Sequence, residues 1–272
     1  MADAPILFDR AAVSRNRARA TKAGLFLHAA TADEVEERLK EVNRSFSSPA
    51  VVTGHPAHWS RFGPVVADDD MLALATGAHD LILHGLSLHW ANDPVGQLIQ
   101  CRRALAPDGL FLGTMLGGET LHELRACLGE AEAAVTGGLS PRVAPMAEIR
   151  DLGALLQRAG FALPVADSAR IRVEYATLWR LMRDLRAMGE TNALTQRLRR
   201  PTRRSVFTEA ARIYSERFAA QSGRIEATYE VIYLTAWCPS EDQPKPLRPG
   251  SATARLADAL GVPERNPEES QT

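Results

Sequence analysis

The sequence predicts an α/β fold: a mostly parallel sheet flanked by helices, short at its first crossover, with a helical insertion before the last strand. Three observations predict it. Residues 79–125 read in order as strand, loop, helix, turn, strand and helix. Two apolar helical stripes lie between 176 and 223. Tyr229–Trp237 then returns to a strand that is apolar on both faces.

The bulk of the chain fits this class. At 272 residues with 45% hydrophobic content it can bury a full core. A formal charge of -1 gives no reason to expect a nucleic-acid partner. Cys101, Cys127 and Cys238 are widely spaced without a C-x-x-C, which suits reduced thiols and argues against a disulfide framework or zinc knuckle. No apolar run reaches membrane-span length, and Met1-Ala2-Asp3-Ala4-Pro5 does not read as a signal peptide, so the expected compartment is the cytoplasm.

Residues 1–48 form an N-terminal helical arm. Arg10, Arg15, Arg17, Arg19 and Lys22 make its first part basic, and a solvated charged face is favoured over contact with an acidic partner or membrane surface. Thr31 and Glu34 make a capping box for a helix carrying Val35, Leu39 and Val42 and ending near Phe46. After the break at Ser47-Ser48-Pro49, Ala50–Thr53 is a short first strand. Only 32 residues run from Val51 to Ile82, barely the length of one βαβ unit at roughly 30 residues or more.

Asp80–His84 is a buried strand stopped by Gly85. Asp93 as N-cap and Pro94 at the first helical position open a helix that turns Val95, Leu98, Ile99 and Leu105 inward and ends near Arg102 and Arg103. Gly96 at the third position leaves it without a capping box. Pro107-Asp108-Gly109 is a turn, and Leu110–Met115 the next strand. Gly117-Gly118 breaks the chain, and Thr120 with Glu123 makes a capping box for a helix carrying Leu121, Leu124 and Leu128. Parallel strands joined this way expose functional residues at their carboxyl ends, here Gly85–Asp93 and Leu116–Glu119.

Further on, 147–158 is a helix stopped by Gly160, and Val165–Tyr175 alternates as a half-exposed strand. The insertion, 176–223, carries Leu178, Leu181, Met182 and Leu185 on one helix and Phe207, Ala211, Tyr214 and Phe218 on another. Between them Arg197, Arg199, Arg200, Arg203 and Arg204 surround Pro201; a solvated loop is favoured, and an acidic protein partner is the alternative. The α/β domain thus comprises 49–175 and 224–240. The tail, 241–272, is rich in proline and charge and is expected to be largely disordered, above all from Pro263 to Thr272.

Ala104–Gly109 matches the "Leu-x-Pro-x-Gly" turn before the fifth strand of class I S-adenosylmethionine-dependent methyltransferases. More specific are Leu86-Ser87-Leu88-His89-Trp90 with Asp93, Gly117–Leu121 with Glu123-Leu124-Arg125, Gly138–Pro141, Asp151-Leu152-Gly153, Arg158–Phe161, Met188–Asn192, Ala227-Thr228-Tyr229 and Gly250–Thr253. With these the chain resembles the mitochondrial complex I assembly factor 5 family and its bacterial relatives, neighbours of the biotin-pathway malonyl carrier-protein methyltransferases. The resemblance covers most of 79–253 and weakens before 65. It implies a Rossmann-like methyltransferase sheet with an antiparallel last strand. Phe8-Asp9-Arg10 matches the family's beginning, which would let the arm dock over the active-site mouth.

The departure from the family lies after the first strand. A glycine-rich loop belongs there, because glycine lets the backbone approach the cofactor; this chain has Thr53-Gly54-His55-Pro56-Ala57-His58-Trp59, of which only Gly54 fits. Pro64–Asp69 resembles the third strand and the acidic loop that faces adenine. The second strand, whose terminal acid would hold the ribose, is missing with most of the first crossover helix.

The resemblance therefore implies S-adenosyl-L-methionine as cofactor on a depleted site of Gly54, Asp68, Asp69, Leu86 and Ser87, although Asp68 and Asp69 also suit a solvated turn. His89 and Trp90 stand where substrate and methyl group would meet, or roof the sheet. Glu119, beside two glycines, suits a substrate amine or guanidinium. Asp93 reads as a cap before a base. His84, His89 and Asp93 as a two-His-one-carboxylate iron set are disfavoured because His84 should point into the sheet, and His55 and His58 read as loop residues, so no metal is expected.

Three functions follow. The first is a methyltransferase acting on a protein side chain or a carrier-bound acyl group, by alignment rather than acid-base chemistry. The second, implied by the resemblance, is complex I assembly with hydroxylation of an arginine of the quinone-site subunit. The third is a non-catalytic methyltransferase-fold chaperone. An open cavity at Gly54–Gly63, or one filled by His55, Pro56 and Trp59, separates the third from the others.

Overall fold

The computed structural model describes residues 6–243. The expected disorder at 263–272, and all but the first three residues of the expected tail, lie outside the described residues. The chain divides after Pro239, and the sheet and its helices belong to the first unit.

Six strands form one sheet: β1 (Pro49–Val52), β2 (Val65–Val66), β3 (His79–His84), β4 (Leu105–Leu116), β5 (Ala162–Tyr175) and β6 (Ile225–Trp237), in the order β2-β1-β3-β4-β6-β5. The pairs β1–β2, β1–β3 and β3–β4 are parallel; β4–β6 and β5–β6 are antiparallel. This is the mixed α/β sheet expected. Val51 pairs with Val65 directly, so no strand intervenes where a second one would stand, and the crossover between them holds only two turns of 3-10 helix, Pro56–His58 and Ser60–Phe62.

Alternation along the strands divides the core between the two faces. Val51, Leu81, Leu83, Leu110 and Leu112 pack with residues of α2 (Phe26–Glu41), α4 (His122–Thr136), α6 (Leu178–Met188) and α7 (Arg204–Arg217). Val52, Ile82 and Phe111 pack with α3 (Pro94–Ala104) and α5 (Ile149–Arg158). Burying each such side chain contributes about 1.5–3 kcal/mol. Asp93 caps α3 as expected, its Oδ1 accepting from Gly96 N at 2.8 Å. Ile99, expected inward, is instead exposed, and Cys101 fills the inner face.

Several local expectations yield to tertiary contacts. Pro107-Asp108-Gly109 does not separate helix from strand: β4 already pairs at Leu105, and the three residues form a bulge, Asp108 at φ 60°, before pairing resumes at Leu110. Thr120 and Glu123 do not cap α4. The Thr120 hydroxyl donates to Glu230 O, and the Glu123 carboxylate accepts the Thr228 hydroxyl, tying the helix to β6. α2 begins five residues before the expected capping box, leaving Thr31 buried inside it and Glu34 paired with Arg38. That helix also ends at Glu41 rather than near Phe46.

The arm is not a solvated face throughout. Asp9 caps α1 (Arg10–Arg17), whose Ala12 and Val13 are buried, and Phe8 packs edge-on against Trp90 at 5.1 Å. Arg15 and Arg19 stay exposed, whereas Arg10 and Arg17 reach Asp68. Arg197 of the basic cluster, expected to be solvated, donates to Asp9 at 2.8 Å and holds the arm in place; Arg200, Arg203 and Arg204 remain exposed.

Candidate functional site

The carboxyl ends of β1, β3 and β4 converge under α1, the start of α2 and the segment after α6. After β3 the chain turns through Leu86 at φ 40°, a left-handed value that costs a side-chain-bearing residue energy. It is held by Leu86 N donating to Thr114 Oγ1 (2.9 Å) and by Ser87 Oγ donating to Gly85 O and accepting from Gly54 N, both at 3.0 Å. A single 3-10 turn, Leu88–Trp90, then places His89 and Trp90 over the end of β4.

What they meet is Glu190. Gly189 ends α6 at φ 83°, and this reversal turns the next residue inward. Trp90 Nε1 donates to both Glu190 oxygens (3.0 and 3.2 Å), and His89 Nε2 lies 3.5 Å from Oε2. His89 Nδ1 accepts from Leu116 N (3.4 Å), so the Nε2 hydrogen faces the carboxylate. Burial pushes the Glu190 carboxyl up, but the His89 hydrogen bond and the nearby Arg17 guanidinium outweigh it and hold the pKa at about 2. The carboxylate opens into a cavity of about 200 Å³ lined by Leu116, Leu121, Leu124, Met182, Leu185 and Tyr229. A second cavity, about 560 Å³ and mostly apolar, is lined by His89 with Leu88, Met115 and Leu152.

The β1 edge is built differently. Trp59 is fully buried with its ring against Gly85; a Cβ there would lie 2.5 Å from the indole. Trp59 Nε1 donates to His28 Nδ1 at 3.0 Å, and the His28 ring meets His55 edge-on at 4.7 Å between centroids. Burial, and next the neighbouring His55, lower the His28 pKa to about 3; burial likewise lowers that of His55. The Arg17 guanidinium covers Gly54 in the space a Cβ would need, and pairs with Asp68 at 2.5 Å.

The site residues read from sequence thus fall into two groups. Gly54, Asp68, Leu86 and Ser87 do come together, but around Arg17 and Trp59. Asp69 is exposed and offers only its carbonyl, to Gln97. His89 and Trp90 converge on Glu190. Glu119 does not join them; its amide donates to Glu230 Oε2, and its side chain lines neither cavity. Asp93 is engaged as a cap, and His84 points away, 3.0 Å from Gln97 Oε1, so these two and His89 form no metal set. Glu190, His28 and Arg17 were not singled out from sequence. The one signal for Glu190 was its place in Met188–Asn192, among the segments that carry the family resemblance.

Residues 15–113 match the family model described as a methyltransferase domain. The chain is 40% identical over 194 residues to "Arginine-hydroxylase NDUFAF5, mitochondrial" of Danio rerio, covering 71% of this chain and 60% of that protein. It is also 39% identical over 176 residues to the malonyl-[acyl-carrier protein] O-methyltransferase of Laribacter hongkongensis, covering 65% of this chain and 57% of that one. It therefore spans less than two thirds of either relative. The solved YcgJ protein of Bacillus subtilis aligns with a TM-score of 0.48 at 10% identity, covering 75% of this chain and 97% of that one. The zebrafish relative's name corrects the expected compartment: it is a mitochondrial protein, and the cytoplasmic expectation falls. Among the described residues, no helix is long and apolar enough to cross a membrane.

S-adenosylmethionine does not fit the cradle at the carboxyl ends of β1 and β3 as it stands. The backbone approach that Gly54 would offer is taken by Arg17, the floor under Gly85 by Trp59, and the strand that would bring a ribose-binding acid has no counterpart between β1 and β2.

Proposed function

We propose that this chain receives an arginine side chain of a protein partner in the cavity beneath Trp90 and acts as an assembly factor, with a respiratory complex I subunit as the partner the family resemblance implies. The observation that carries this reading is Glu190, a largely enclosed carboxylate, its side chain 11% exposed, at the end of an apolar cavity. An enclosed carboxylate calls for a cation that can hydrogen-bond. A guanidinium on a three-carbon stem supplies that, with forked donors for lone pairs that Trp90 and His89 leave open, and apolar walls for its methylenes. The zebrafish relative's name, an arginine hydroxylase, supports arginine as the side chain.

Methyl transfer from S-adenosylmethionine to a protein side chain or carrier-bound acyl group is the second reading, favoured by the domain match over residues 15–113. It requires Arg17 and Trp59 to leave the cradle, and no step of it is derived from the present arrangement.

The test uses two fluorescent peptides identical except for arginine or its neutral isostere citrulline, measured by polarisation. Binding of the arginine peptide at least about tenfold tighter, a difference of about 1.4 kcal/mol, and loss of that preference in Glu190→Gln, are expected. Equal binding of both peptides to the wild-type chain overturns the reading.

A further inference from the structure

At the Glu190 end of the arginine cavity, one cluster of side chains has the composition of a metal site. His28 lies in the first turn of α2, His55 just before the turn Pro56–His58, and Glu190 just after α6. Each offers a ligand atom, all within 4.8 Å of one another, and among the described residues they are the only such group of three. Two further features mark the place. A void of about 10 Å³, room for about one water or ion, is lined by His28, His89 and Glu190 with Leu27, Leu86, Leu116 and Met188. His55 Nε2 is buried with no hydrogen-bond partner, which is costly unless something accepts or replaces it.

We propose that His28, His55 and Glu190 bind one divalent first-row transition ion between them, beside this void. Two imidazoles and one carboxylate suit such ions and leave coordination positions open, as in non-haem Fe²⁺ and catalytic Zn²⁺ sites. Metal–ligand distances near 2 Å require the three side chains to draw together around the ion. Trp90 and His89 already hold the carboxylate by hydrogen bonds, the outer support such ligands need. Trp59 works against the ion. Its N–H occupies His28 Nδ1 and leaves the ring hydrogen on Nε2, so at either nitrogen the ion competes with a hydrogen.

The site needs no arginine ligand, although both use Glu190, and its test contains no peptide. The untagged full chain is titrated with Co²⁺ under reducing, anaerobic conditions, followed by visible absorption and thermal melting. One equivalent should bind, with ligand-field bands and a higher melting temperature. His55→Ala and Glu190→Gln, each checked for folding by circular dichroism, should weaken binding at least about tenfold. Trp59→Phe should tighten it by removing the competing N–H. Competition with Fe²⁺ and Zn²⁺ then ranks the ions. Fewer than half an equivalent bound by folded wild-type protein, unchanged affinity in both ligand variants, or a near-ultraviolet thiolate-to-cobalt band placing the ion on a cysteine would each overturn the proposal.

Discussion

The two halves of the sheet's carboxyl edge share a backbone plan and use it differently. Over β3 and β4 the loop Leu86–Trp90 is bonded to the strand ends and leaves open cavities of about 560 Å³ beside His89 and about 200 Å³ beside Trp90. Over β1 the equivalent space holds Arg17, His28, His55 and Trp59 in close packing. The contrast follows from chain length. With a 12-residue crossover from Thr53 to Pro64 there is no helix to frame a pocket, so β2 docks directly on β1 and large side chains fill the place of a ligand. A fold can thus keep its sheet and one of its pockets while the other becomes core.

If that side is core, removing its largest side chain should cost what core truncation costs. Trp59→Ala should destabilise the protein by about 3–5 kcal/mol, read as the shift in midpoint of urea unfolding. Were Trp59 only a lodger in a ligand site, the loss would stay below about 1 kcal/mol, and the two edges would be alike after all.

Arg17→Met sharpens the comparison further. It strips Asp68, fully enclosed, of its nearest cation and leaves Arg10 at 3.4 Å. Breaking a buried pair from one side costs about 3 kcal/mol, a fall in melting temperature of roughly 6–12 °C for a chain of this size. The same variant exposes Gly54. Thermal melts with millimolar S-adenosylmethionine or S-adenosylhomocysteine should show no ligand-dependent rise, because Trp59 still fills the floor. A rise of several degrees would mean that the arm alone plugs a working cofactor site, and would return methyl transfer to first place.

How much of this was legible follows the same division. β3, α3 and the core of β4 could be read because short apolar runs and an Asp-Pro start each act over a few residues, whereas Pro107-Asp108-Gly109 proved a bulge within β4 rather than a turn before it. The loop Leu86–Trp90 stood out for its place at a strand end. The capping box at Thr120–Glu123 misled because both side chains found partners on β6, which local pattern cannot weigh, and the one at Thr31–Glu34 because α2 begins at Phe26 and leaves Thr31 buried inside it. Glu190 lies 101 residues from His89 and 100 from Trp90. Only the reversal at Gly189 and the packing of α6 bring them together, and neither spacing nor composition encodes that meeting.

The open side must in turn be held open, and Glu132 on α4 does this for the roof of the smaller cavity. Its carboxylate takes two bonds from Arg142 (2.6 and 2.9 Å) and two from the Ser140 hydroxyl (2.7 and 2.8 Å), fixing the loop whose Arg142, Val143 and Met146 line the cavity. The Arg142 hydrogen bonds, opposed by burial and aided by Ser140, lower its pKa to about 2. A carboxyl depressed in the folded state stabilises above its unfolded pKa of about 4.3 and loses that contribution as pH falls toward 2. Glu132→Gln should therefore cost about 2 kcal/mol at pH 7, with the gap from wild type closing between about pH 4.5 and 2 in denaturant melts. A gap independent of pH would show that the loop is held by shape alone. The roof would then resemble the packed β1 edge, where buried side chains fill the space.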